Sequence, residues 1–267
     1  MRQKIAFIQL KQLWWQHLEN KIIYLKETDS TNLQIAKFAK TGEPEGTVVW
    51  ADSQTAGKGR RGRSWESVAE KNIYFSILLR PKIKTERAPM LTIVMAYSVA
   101  KALERNLGIF TQIKWPNDLI LNKKKLCGIL TEMSLKETEI DYVIIGVGIN
   151  ANATEFSQEL QDKATSIYLE TKKEVARKEV LQEVLKEFSI HYQRFLEQED
   201  LAFLQEGYNQ ILVNKGSEVL VLEPGNEYMA TAMGINEKGE LLVTTKDGKE
   251  ITVFAGEVSV RGIYGYV

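Results

Sequence analysis

From Val213 to the C-terminus the chain carries no helical period at all. Four short apolar–polar alternations, at 218–222, 228–235, 241–245 and 250–253, are separated by the turn sequences PGN, NEKGE and KDGK. Period-two runs cut every few residues by Gly, Pro, Asn and Asp fold as a small all-β unit. In the preceding residues strand and helix periods alternate instead. Domains at 1–212 and 213–267 are therefore expected, and charge divides at the same place. Residues 213–267 hold five Lys or Arg against eight Asp or Glu, residues 1–212 thirty against twenty-seven, and the 267-residue chain balances at 35 of each.

In the first part, 22–25, 47–51 and 73–79 read as strands. A helix runs from the cap candidates Asp29, Ser30 and Thr31 to about Lys40, halted by Gly42 and Pro44. A mostly apolar helix is expected over 86–107 and an amphipathic one over 174–198. Between them lie β segments at 112–115, 118–121, 125–134 and 140–145. The link at 122–125 reads as a hairpin, so the fold class is α+β, a mixed sheet with flanking helices. Ile5, Ile8, Leu10, Leu13, Trp14 and Leu18 fall at helical spacing. No apolar run reaches the roughly 18 residues of a membrane span. The start lacks a signal peptide's h-region, and a single Cys builds no disulfide framework. A cytoplasmic protein without a membrane partner is expected.

Three segments carry chemistry. QTAGKGRRGRSW, residues 54–65, sets four cations within the seven residues from Gly57 to Arg63, spaced by three glycines. Glycine lets backbone N–H groups approach an anion, and arginine grips phosphate or carboxylate oxygens with two bonds. The plain alternative is a solvated basic loop or a nucleic-acid patch. KWPND, residues 114–118, precedes KLCGIL, residues 125–130. Trp115-Pro116 implies a stiff, extended stretch presenting Lys114, Asn117 and Asp118 at the lip of a strand. Lys125, flanked by apolar residues, suits a carboxylate or phosphate, or else it belongs to a lysine-rich surface turn with Lys123 and Lys124. Spacing does not decide whether it reaches Asp118. The third segment, GVGINA at 146–151, mimics a dinucleotide-binding turn, with Glu170 where a ribose-binding acid would fall. Only Phe156 and Leu160 follow as large apolar residues, too few for a crossover helix. The glycines instead let a ligand lie against the strand, with Asn150 offering an amide. Cys127 sits in an apolar strand and reads as buried, not nucleophilic. His17 and His191 have no partner at metal-ligand spacing.

Together DSTN (29–32), QTAGKGRRGR (54–63), KWPND, KLCGIL and GVGIN resemble the biotin–protein ligases in order and spacing, over about residues 22–267. The resemblance implies the α+β fold of biotin and lipoate ligases followed by an SH3-like barrel. It implies attack of biotin's carboxylate on the α-phosphorus of Mg-ATP to give biotinoyl-5′-AMP, then transfer to a lysine of a biotin carboxyl carrier domain. Lys125, Arg60 and Asp118 would be catalytic, Asp118 orienting or deprotonating the acceptor lysine. Ser30, Thr31, Asn32, Gln54, Lys58, Gly59, Arg60, Lys125, Gly128, Gly146 and Gly148 would bind biotin, the last three glycines leaving room for its bicycle and chain. Arg60, Arg63, Trp65, Lys114, Asn117, Lys125 and Asn150 would bind ATP, with Trp65 a flat face for adenine and Mg2+ near Asn150 but at no fixed site. Lys58 stands where the family usually has Arg, which removes a fork. The roughly 21 residues before the resemblance leave no room for the helix-turn-helix domain of repressor members, so no DNA binding is expected. A homodimer fits the family. The competing readings are a lipoate or octanoate ligase or transferase of the same fold and a non-catalytic nucleic-acid-binding module.

Overall fold

Runs of Val, Ile and Leu broken by charged turns make this chain a strand former over much of its length. The computed structural model describes residues 22–223, 225–254 and 259–262. The helix expected near Ile5–Leu18, with His17 and the question of a DNA-binding segment, lies outside them. Among the described residues, seven strands build one sheet: β1 (Ile22–Thr28), β2 (Val48–Gln54), β3 (Ile73–Leu79), β4 (Gln112–Lys114), β5 (Asp118–Leu121), β6 (Lys124–Lys136) and β7 (Glu139–Ile149). Their order is β1-β2-β3-β7-β6-β5-β4. β1 and β2 run parallel and every other neighbouring pair antiparallel, so the sheet is mixed.

A second sheet of five antiparallel strands comprises β8 (Glu218–Glu223), β9 (Asn226–Ile235), β10 (Leu241–Thr245), β11 (Glu250–Val253) and β12 (Ser259–Gly262), in the order β11-β10-β9-β8-β12. β12, only SVRG, is too short to show a period. The helices are α1 (Thr31–Lys40), α2 (Met90–Leu107), α3 (Ile167–Thr171), α4 (Arg177–Gln198) and α5 (Ala202–Ile211). Neither α3 nor α5 was expected. α3 is a single turn, and Gly207 interrupts the apolar stripe of α5. That glycine is there because a Cβ would lie 2.3 Å from the Tyr97 hydroxyl.

α2 and α4 cover one face of the large sheet. Ile73, Phe75, Ile77 and Leu79 of β3 and Val143, Ile145 and Val147 of β7 pack beneath them, and the same apolar core continues to Val219, Val221, Ala232 and Val243 of the small sheet. On the opposite face α1 buries Ile35 and Ala39 against Val49, Leu78 and Ile144. With ten residues, α1 spans about 15 Å, too short to cover that face. The sheet beyond its N-terminus is left to the functional site.

One expectation is corrected and one is refined. The Trp115–Pro116 peptide is cis, and 115–117 form a tight turn joining β4 to β5 rather than an extended stretch. Ser30 occupies the N-cap of α1 without a side-chain cap bond; the Asp29 carboxylate instead accepts from the Ser30 N–H at 2.6 Å, which holds Asp29 below the usual carboxylate range. The rejection of a dinucleotide turn stands: β7 is antiparallel to both neighbours, and the next helix is the single turn α3.

Candidate active site

The floor of the site is a patch of sheet centred on three glycines. Pairing sets Gly128 opposite Gly148, Leu130 opposite Gly146 and Ser76 opposite Gly146, so three glycines and a serine meet across β6, β7 and β3. Two side chains come down onto it. A Cβ on Gly148 would lie 2.5 Å from the Trp65 indole, one on Gly128 2.6 Å from it, and one on Gly146 2.1 Å from Asn32 Oδ1. The room expected for a ligand's rings is thus filled by the chain's own indole and amide. The free cavity is about 50 Å³, against roughly 300–1,000 Å³ for small-molecule clefts. The Trp65 Nε1 is buried and has no hydrogen-bond partner among the described residues.

Trp65 is delivered by the basic segment, which folds as a small closed hairpin. Trp65 N–H donates to Gly57 O at 2.9 Å, Gly59 N–H donates to Arg63 O at 2.7 Å, and Lys58 pairs with Ser64. Gly57 is required by close approach, since a Cβ there would meet Trp65 O at 2.5 Å. Arg60 turns inward, while Lys58, Arg61 and Arg63 are exposed.

At one end of the pocket stand neutral polar groups. Gln54 Oε1 accepts from the Thr31 N–H at 2.9 Å and the Thr31 hydroxyl at 3.1 Å, and Gln54 Nε2 donates to Ser67 at 3.2 Å. Ser30 and Asn32 complete this end. At the other end is a charged relay. Arg60 donates to Asn117 Oδ1 at 2.9 Å, Asn117 Nδ2 donates to Asp118 at 3.0 Å, and Lys125 Nζ lies 2.7 Å from Asp118 and 5.2 Å from the Trp65 ring centre. Burial lowers Arg60 from its ordinary value, Asp118 opposing and Arg61 and Arg63 adding to the effect.

Lys125 reaches this relay through a defect in β6. In a regular strand residues 125 and 128 face opposite sides. The β5–β6 register slips at Leu126, pairing Leu119 with Cys127 but Ile120 with Lys125. The extra residue sends Leu126 into the core and re-aims Lys125 beside Gly128. Backbone bonds hold the bulge: Lys125 N–H to Lys163 O at 2.7 Å, Thr165 N–H to Lys125 O and Asn150 N–H to Leu126 O, both at 2.9 Å.

The expected biotin-site residues Ser30, Thr31, Asn32, Gln54, Lys58, Gly59, Arg60, Lys125, Gly128, Gly146 and Gly148 all line the cavity, as do Trp65 and Asn117 of the expected nucleotide set. Asp118 stands behind Lys125. Arg63 is exposed, Lys114 is buried on β4 as the cross-strand partner of Asp118, and Asn150 is buried, its amide bonding Lys125 O and Asn72 at 3.5 Å each; none of these three lines the cavity. Sequence reasoning missed Ile129, Leu130 and Val147, which also line the cavity but lie inside strands where nothing distinguishes them from ordinary core positions. Cys127 is fully buried and burial pushes its thiol up, so it is no nucleophile. A second, largely apolar cavity of about 220 Å³ opens on the opposite face of β6, between Pro89, Pro116 and Met133, and shares Arg60 with the first.

Residues 24–150 match the biotin/lipoate A/B protein ligase family and residues 216–261 the biotin protein ligase C-terminal domain. The chain is 37% identical over 231 residues to a bifunctional ligase/repressor BirA of Bacillus spizizenii, covering 85% of this chain and 70% of that one. It is 30% identical over 243 residues to a biotin–[acetyl-CoA-carboxylase] ligase of Paracoccus denitrificans, covering 89% of this chain and all of the other. The structure of a biotin protein ligase from Aquifex aeolicus in complex with biotin and ATP superposes with a TM-score of 0.80 at 36% identity, over 91% of this chain and 99% of that one.

Proposed function

We propose, on the premise that the chain belongs to the biotin protein ligase family, that its two-ended pocket activates biotin with ATP and that Lys125 is the group on which the chemistry turns. The chain is a biotin–protein ligase that binds biotin and ATP; the assignment of roles to its residues is our reading. Joining a carboxylate to a triphosphate brings like charges together, so a cation fixed in a partly desolvated place lowers the barrier. The observation that carries the reading is the Lys125–Asp118 pair, 2.7 Å apart beneath the Trp65 ring, with Arg60 reaching it through Asn117. Lys125 holds the biotin carboxylate and the α-phosphate, and Arg60 neutralises charge that builds on the phosphate. Ser30, Thr31 and Gln54 meet an uncharged ureido ring with neutral donors and acceptors. Trp65 leaves the glycine floor when the substrates enter and offers its face to adenine or to the acyl chain.

The product of the first step is biotinoyl-5′-AMP, with pyrophosphate released. In the second, the lysine amine of a biotin carboxyl carrier domain attacks the acyl carbon and AMP departs. Free lysine is protonated at neutral pH, and Asp118 takes or orients its proton once Lys125 has turned to the adenylate. Mg2+ accompanies ATP and shields its phosphates. The side chains build no cage for it: Asp118 is engaged by Lys125 and Asn117, the Asn150 amide is used inside the fold, and among the described residues no three acidic, Cys or His side chains group as ligands. Phosphate oxygens and water then supply its ligands. Among the described residues no helix is long and apolar enough to cross a membrane, and use of ATP fits a cytoplasmic setting. The same reading makes residues 1–212 the catalytic domain and 213–267 a separate β domain.

ATP–pyrophosphate exchange driven by biotin, lipoate or octanoate tests the function. Exchange with biotin alone is expected. Exchange with lipoate or octanoate and not with biotin overturns the reading.

A further inference from the structure

Glu170, the acid that the sequence pattern set where a ribose-binding group would fall, lies on α3, partly exposed and outside the cavity. It stands between two stretches of chain that bracket Lys125. On one side is the turn joining β5 to β6, where Asn122 Nδ2 donates to Glu170 Oε2. On the other is the buried Thr165, whose hydroxyl donates to Glu170 Oε1. A carboxylate only accepts, and here each oxygen takes a donor from a different segment.

The segment that carries Thr165 holds the backbone of Lys125. β7 ends at Ile149, opposite Cys127, and stops short of Lys125. Residues 163–165 take its place beside the strand. Ala164 pairs with Lys125 in parallel, the Lys125 N–H donates to Lys163 O at 2.7 Å, and the Thr165 N–H donates to Lys125 O at 2.9 Å. On the other edge of β6 the register slips at this same point, setting Ile120 opposite Lys125. The aim of the Lys125 side chain therefore depends on where 163–165 sits relative to the β5–β6 hairpin. Glu170 fastens one to the other. A further tie between them, Lys124 Nζ to Gln161 O at 2.9 Å, is exposed.

We propose that Glu170 is a positioning residue for the activation step, which by joining Asn122 to Thr165 keeps the β6 bulge closed and Lys125 aimed at the reacting carboxylate and α-phosphate. The inference rests on the reading of Lys125 as the group on which the chemistry turns. A cation displaced by a fraction of an ångström still attracts its substrates but meets the charge of the transition state less well. The loss then falls on kcat rather than on KM.

The test is biotin-dependent pyrophosphate exchange by the unaltered chain, Glu170→Gln, Glu170→Ala, Lys125→Ala and the double variant, at a temperature where thermal unfolding shows all of them folded. Glu170→Ala should lower kcat about five- to tenfold, with the KM for biotin and for ATP within about twofold of normal. Glu170→Gln keeps an acceptor for Thr165 and offers an NH2 to Asn122, whose exposed amide turns over to accept it, so kcat should stay within about twofold of normal. In the Lys125→Ala background, Glu170→Ala should cost no more than about twofold further, because no ammonium is left to aim. A kcat within twofold of normal in Glu170→Ala overturns the role of Glu170. So does a rise in both KM values, or the full five- to tenfold loss repeated without Lys125, the marks of a contact that serves the fold alone. Absence of biotin-driven exchange in the unaltered chain, or normal exchange by Lys125→Ala, overturns the reading of the site instead.

Discussion

At the scale of single residues, the proposed chemistry rests on side chains aimed by backbone irregularities. Lys125 points into the pocket because one residue of β6 is out of register. Its removal should abolish adenylate formation without unfolding the chain, since it is partly exposed and leaves no apolar cavity. Pyrophosphate exchange by Lys125→Ala is expected to fall by about 10²-fold or more, with the thermal midpoint unchanged within a few degrees. Turnover near normal would remove Lys125 from the chemistry. That Lys58, Arg60 and Lys125 would be candidates was legible in the sequence, because four cations among glycines and a lysine before an apolar run are unusual, and all three line one cavity. Their aim was not. Spacing left open whether Lys125 reaches Asp118, and strand alternation alone puts it on the wrong face. Nor could sequence show that the glycine floor is occupied by Trp65, since an indole eighty-three residues from Gly148 gives no sign of where it rests.

At the scale of elements, strands and long helices were read within a few residues, because apolar period dominates wherever burial is one-sided. Elements too short or too interrupted to show a period were missed: α3, α5, β12 and the closed hairpin of the basic segment. The hairpin joining β5 to β6 has two central residues, Asn122 and Lys123, both with positive φ, at 48° and 65°. That is the twist a two-residue hairpin prefers, and lysine is a poor occupant of its second position. Lys123→Gly should stabilise the fold by about 0.5–1 kcal/mol, seen as a rise in the thermal midpoint. Between α2 and α4, His191 is buried, bonded through Nδ1 to Ser98 at 2.9 Å, and burial lowers its pKa to about 4, with Arg105, Arg194 and Lys101 acting the same way. The unfolded chain takes up this proton near pH 6.5 and the folded chain only near pH 4. Protons therefore favour unfolding, and stability, whole above pH 6.5, declines as the pH falls through that interval, by at most about 3 kcal/mol. Denaturant midpoints measured from pH 7 to pH 4 should show this decline, and His191→Gln should flatten it.

At the scale of the molecule, the two sheets share one apolar core, and a small number of polar ties fix their junction. α5 leads into the small sheet, with Gln205 and Asn209 bonding Ile235 on β9. Val213 N–H donates to Ile113 O at 3.0 Å. Across the same junction Trp115 Nε1 donates to Gly239 O at 2.9 Å. Trp115→Phe keeps an aromatic ring but leaves that carbonyl without its donor. A loss of about 2–3 kcal/mol is expected in denaturant unfolding, with slower pyrophosphate exchange because Asn117 and Asp118 follow two and three residues later. Unaltered exchange would show that the turn holds without its tie. That a small all-β part follows the mixed sheet was legible from period and charge. The dependence of one part on the other was not, because a tryptophan's partner lies far along the chain. Every residue lining the pocket has been synthesised by the time Gly148 is added, yet the turn bearing Asn117 and Asp118 is fastened by the carbonyl of Gly239, ninety-one residues further on. During synthesis this enzyme has its parts long before it has its activity, and the nascent protein should stay silent until Gly239 has emerged.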